Sequence, residues 1–136
     1  MFGLGKKKNI NKDIHCRVSY YEGLPNFQQL HGCELFTQGD TLIIRQIRPE
    51  ITVRIKLSQI ETIDVLPENT FMMKYKNTSA QPNNTPVKVS YYIFNYVSSN
   101  GENAMFVLSG AGMEIRQIYQ LQKMINQSKG PQSYDL

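Results

Sequence analysis

The sequence has no tryptophan, only two cysteines and no apolar run longer than a few residues. The longest such runs, Tyr91 to Phe94 and Met105 to Leu108, fall far short of the ~20 residues that cross a bilayer as a helix. Two cysteines are too few for a disulfide scaffold. Also missing are a G-x-S-x-G elbow, a Gly-rich phosphate loop and a carboxylate cluster able to hold a metal, so no reaction can be named and no cofactor is expected. The segment Met1 to Lys12 lacks the apolar stretch of a secretory signal, and Phe2 stands where myristoylation requires a glycine. These absences lead to the expectation of a cytoplasmic, non-catalytic chain whose Cys16 and Cys33 are thiols.

What is present is enough for one hydrophobic core. At 136 residues and 40% hydrophobic content the chain is of single-domain size. Its formal charge of +4 is concentrated at one end: Lys6, Lys7, Lys8, Lys12 and Arg17 stand against Asp13, and the acidic and basic groups that follow balance. A basic arm over residues 1–12 therefore precedes a neutral domain over 13–128, with a loose tail over 129–136. Such an arm can approach anionic lipid at about 1 kcal/mol per basic residue near the surface.

The periodicity predicts about seven antiparallel strands and one helix. Ile14, Cys16, Val18 and Tyr20 alternate with polar residues, and a loop follows from Glu22 to Gly32. Cys33 to Thr37 and Thr41 to Gln46 form a hairpin about Gly39-Asp40, and Thr52 to Leu57 alternates cleanly after Arg48-Pro49-Glu50. Ile60 to Leu66 changes parity partway, as at a bulge or in a strand covered on both faces. Thr70 to Lys76 reads as a short strand, and Asn77 to Pro86 as a mobile polar loop. Val87 to Val97 is the longest strand, with Val87, Val89, Tyr91, Ile93 and Val97 inward. Asn100-Gly101 turns the chain into Ala104 to Leu108. After Gly110-Ala111-Gly112, the spacing of Ile115, Ile118, Leu121 and Ile125 predicts an amphipathic helix that begins near Glu114 and stops near Ser128, before Lys129-Gly130-Pro131. A meander closed by such a helix suggests a small barrel.

Three segments carry a resemblance: Val18 to Pro25 with its Glu22-Gly23-Leu24-Pro25 end, Gly39 to Ile44 with Gly-Asp-Thr-Leu, and Ile55-Lys56-Leu57-Ser58-Gln59-Ile60. Together they resemble the bacterial pleckstrin-homology-like or GRAM-like modules over residues 14–128. The lack of a tryptophan in the last helix favours that branch over the eukaryotic one. The resemblance implies a small barrel of about seven strands capped by a C-terminal helix, and a binding role, in modules often found as homo-oligomers. Phosphoinositide binding, the best-known activity of the wider family, is disfavoured because Tyr21 to Gly32 contains no Lys or Arg.

Candidate sites follow from the faces of the strands. Tyr92, Phe94 and Tyr96 fall on the nominally polar face of their strand, and such a row needs a cover: either the helix or a neighbouring strand of the same chain, or a protein interface with a partner or a second copy. Lys6, Lys7, Lys8 and Lys12, with Arg45, Arg54 and Lys56 on the outer face of neighbouring strands, form the candidate contact for anionic lipid. Nucleic acid is disfavoured because the rings lack a basic groove beside them. His15 and His31 beside Glu22 or Glu34 are the nearest approach to an acid/base pair. His15 and Cys16 face opposite ways, and His31 with Cys33 supplies too few ligands for zinc.

Overall fold

The computed structural model describes residues 14–76 and 89–130, together with Asp135. Seven strands form one antiparallel sheet: β1 His15–Glu22, β2 Gly32–Gln38, β3 Thr41–Gln46, β4 Ile51–Lys56, β5 Ile60–Pro67, β6 Ser90–Val97 and β7 Asn103–Gly110. Their spatial order is β4-β3-β2-β1-β7-β6-β5. The sheet is thus two local meanders joined where β1 pairs with β7, and it is not closed, because β4 and β5 remain its edges. A 3-10 turn, Leu57–Gln59, carries the chain from one edge to the other. The expected Asn77 to Pro86 loop, the arm with Lys6, Lys7, Lys8 and Lys12, and most of the tail lie outside the described residues.

Turn chemistry places the hairpins where the sequence puts them. Gly39 has φ +59 between Gln38 and Thr41, which pair directly, and Gly101 has φ +88 in the β6–β7 turn. Both expectations for the fifth strand hold together. A register shift lies between Ile60 and Thr62, and the strand buries Ile63 on one side while Leu66 packs on the other.

Two expectations are corrected. Thr70 to Lys76 is not a strand: Glu68–Tyr75 is a helix, α1, so the C-terminal helix is not the only one. Pro67 precedes its first residue in an extended conformation and Glu68 occupies its first turn, the arrangement that starts helices. Phe71 and Tyr75, four residues apart, then share one face. The second correction concerns β6. Tyr92 and Phe94 are fully buried in the main core and Tyr96 packs against it, whereas Tyr91 and Ile93, expected inward, lie on the opposite face under Phe71. Phe71 stacks on Tyr91 with ring centroids 4.1 Å apart, and Tyr21 meets both edge-on. Because α1 covers the back of the sheet, β6 is apolar on both faces, and alternation alone could not say which face held the main core.

The C-terminal helix, α2, runs Ile115–Ser128 and buries Ile118, Leu121, Met124 and Ile125 against the main core. It packs on β5 and the 3-10 turn. Ile118 is fully buried, so Ile118→Ala is expected to lower the unfolding free energy by about 3 kcal/mol, the lost transfer energy plus the cavity. Chemical denaturation checks this, and a loss below ~0.5 kcal/mol would mean that α2 does not dock through this residue.

Candidate functional site

The two edges of the sheet differ in how their backbone groups are occupied. At β5 the helix α2 covers one end of the edge: Gln122 Nε2 donates to the Ile63 carbonyl at 2.6 Å and Lys129 Nζ donates to the Glu61 carbonyl at 3.0 Å. At β4 the occupation stops after one residue. Leu57 N–H donates to the Asp40 carbonyl at 2.8 Å, toward β3, whereas Lys56 N–H turns away and donates to Gln59 Oε1 at 3.0 Å. Antiparallel ladders alternate in this respect, so the N–H and C=O of Arg54 and Thr52 also face away from β3. None of the described residues hydrogen-bonds to them.

Beside this edge lies a gap of about 290 Å³ between β4 and the far end of β6. Leu24, Val53, Ile55, Tyr96 and Phe106 line it. Gln59 spans its rim, accepting from Lys56 N–H and donating to the Val97 carbonyl at 3.0 Å. Of the three rings expected at an interface, Tyr96 alone is only partly buried and lines this gap; Tyr92 and Phe94 are enclosed in the monomer and cannot meet another chain. Phe94 stacks on Phe106 at 4.6 Å.

The outer face of β1–β4 gathers the predicted cations. Register pairs Ile43 with Arg54, Thr41 with Lys56 and Glu34 with Arg45, which puts Arg45, Arg54 and Lys56 on one face. Arg45 is engaged: its Nε donates to Glu34 Oε1 at 3.0 Å and its guanidinium lies 5.5 Å from the Phe36 ring centroid. That hydrogen bond holds the Glu34 carboxyl below its ordinary value and raises Arg45. Among the described residues no acidic group lies within ion-pair distance of Arg54 or Lys56.

The acid/base candidates separate. His15 Nε2 comes within 3.6 Å of Glu34 Oε2, but a carboxylate bound to a guanidinium is a weak base. Glu22 pairs with Lys76 instead, and His31 stays on an exposed loop. No group of three or more His, Cys, Asp or Glu side chains comes together among the described residues in a way that could hold a metal ion.

One polar pair was not legible in the sequence. Glu114, the residue before α2, is buried, and its Oε2 accepts from the Tyr92 hydroxyl and from Gly112 N–H. A Cβ at Gly110 would overlap that oxygen, so glycine there makes room for the carboxylate. The pair anchors the start of the helix to the middle of β6. Burial raises the Tyr92 phenol above its ordinary value, and the bond to Glu114 adds to this. Burial, then the Glu114 charge, pushes the Cys16 thiol up to about 11, and burial alone pushes Cys33 up to about 11. Such thiols are poor nucleophiles.

These raised values fix a pH dependence. The native state holds the two thiol protons more tightly than the unfolded chain does, so their stabilisation is complete below the ordinary thiol value of 9.0 and is lost as pH rises through about 11. Urea midpoints measured from about pH 8 to about pH 11 are expected to stay level and then fall, with a shallower fall in a Cys16→Ala, Cys33→Ala variant. A midpoint unchanged to about pH 11 would show that the thiols titrate as they do in water.

None of the described helices is long and apolar enough to cross a membrane. No protein-family model matches the chain, and no curated protein matches it.

Proposed function

We propose that the chain is a bacterial pleckstrin-homology-like, GRAM-like module that acts in the cytoplasm as a non-catalytic binding and assembly unit through protein–protein contacts. The observation that carries this reading is the β4 edge, open beside an apolar gap, whereas α2 covers one end of the β5 edge. An open edge pairs with polypeptide, because its unpaired N–H and C=O groups match another backbone. The order β4-β3-β2-β1-β7-β6-β5 with a helix on the main core is compatible with the resemblance. The test is photo-crosslinking in cells from a photoreactive phenylalanine placed at Ser99, on the rim of the gap. Discrete polypeptide adducts, of a partner or of a second copy, are the expected result; adducts to lipid alone, or none, overturn it.

A second reading, a peripheral adaptor that meets anionic lipid through Lys6, Lys7, Lys8 and Lys12, is favoured by the exposed Arg54 and Lys56 on the outer face. Cosedimentation with anionic vesicles at two salt concentrations separates the two, since electrostatic tethering weakens with salt. Binding that disappears when residues 1–12 are deleted selects the adaptor.

A further inference from the structure

We propose that β4 accepts a short extended segment of a partner protein as an added strand, in which acidic residues alternate with aliphatic ones. The inference rests on the reading of the chain as a protein-binding module and names the segment that it would bind. Backbone supplies the docking groups: the N–H and C=O of Thr52 and Arg54 point out of the sheet with no described partner, on a strand of six residues. Pairing with a passing backbone would satisfy them, as it does wherever a peptide extends a sheet.

Side chains set the pattern. An added strand shares the two-residue period of β4, so every second side chain falls on the inner face with Val53 and Ile55 and the others on the outer face with Arg54 and Lys56. The inner set meets the gap lined by Leu24, Tyr96 and Phe106, whose volume of about 290 Å³ has room for side chains such as valine or leucine. The outer set meets two cations with no described counter-ion, because Glu34 is already taken by Arg45. Carboxylates therefore suit those positions. The same charges disfavour a second copy of β4, which would bring Arg54 and Lys56 against their own kind. The other edge gives a partial contrast: at β5 the Ile63 and Glu61 carbonyls are occupied by Gln122 and Lys129, so a strand arriving at that end would first have to displace them.

A capped heptapeptide alternating glutamate with valine tests this, titrated into the full chain and followed by amide NMR and hydrogen exchange. Binding with Kd below about 1 mM is expected, with slowed exchange at the Thr52 and Arg54 amides and shifts at Tyr96 and Phe106. A peptide of the same composition with its glutamates in one block should bind at least about tenfold more weakly, as should one methylated at alternate backbone nitrogens on the docking side. Arg54→Glu should weaken the alternating peptide by at least about tenfold. Arg54→Pro removes the outward N–H without touching the β3 ladder, and should abolish protection at this edge; far-UV circular dichroism confirms that both variants fold. No binding near 1 mM, equal binding of the methylated peptide, or protection confined to β5 and α2 each overturns the proposal. Polypeptide adducts from Ser99 without peptide binding at β4 would leave the module reading standing and remove strand addition. Protection at β4 without adducts in cells would show an edge able to take a strand but would remove the module reading, and with it the partner segment proposed here.

Discussion

Phe94→Asp is expected to unfold the chain rather than split an assembly. Phe94 is fully buried, stacked on Phe106 between β6 and β7, and paired across the sheet with Ile63 and Phe106. A carboxylate there either loses its hydration with no donor to replace it or must take up a proton, and the ring contacts are lost as well. The expected cost exceeds about 5 kcal/mol, comparable with the whole stability of a domain this size. Far-UV circular dichroism and gel filtration should show an expanded, non-cooperative chain, whereas Phe94→Leu, which keeps most of the apolar volume, should still melt cooperatively. A folded Phe94→Asp protein would return the ring to the surface and restore it as an interface residue.

Gly23→Val is the other large expected effect. Gly23 follows β1 with φ +105, and a Cβ at that position would lie 2.5 Å from the Met105 carbonyl oxygen and 2.6 Å from Phe106 Cα. Both neighbours are backbone atoms of β7, so no side-chain rotation relieves the overlap. A β-branched residue also resists positive φ. Overpacking and backbone strain together are expected to cost about 4 kcal/mol, read as a lower urea midpoint with an unchanged slope. A loss below about 1 kcal/mol would show that β1 and β7 can separate here without consequence.

The strands of the first meander were legible because Val18, Leu35, Leu42 and Ile55 point inward with polar or turn residues alternating around most of them, β3 alone burying Ile43 on its outer face as well. The stripe of α2 was legible for the same reason. At β6 the signal failed because both faces are apolar, and the helix that covers the second face itself reads as a strand from its local composition. The Arg45–Glu34 pair could have been found by counting outward from the Gly39-Asp40 turn, which places the two residues opposite each other. Glu114 carried less of a signal, because an acidic residue at a helix start is ordinarily solvated; only the nearby Gly110 hints at a buried carboxylate. The open edge could not be read locally at all, since which strand lies at the border depends on β1 finding β7.

That last pairing has a consequence for the order of events during synthesis. Ser19 pairs with Ser109, about ninety residues later in the chain, so at ~5–20 residues per second β1 is complete on the order of ten seconds before its second neighbour exists. In that interval β1 to β4 can already zip into a hairpin series through neighbouring residues, while β1 shows a temporary second border to every other nascent chain. Contacts this distant in sequence slow the final closure relative to a helical protein of equal length. The most vulnerable species in the life of this molecule is therefore the half-finished meander, and amino-acid changes that delay β7 should reduce the soluble yield even where the finished fold tolerates them.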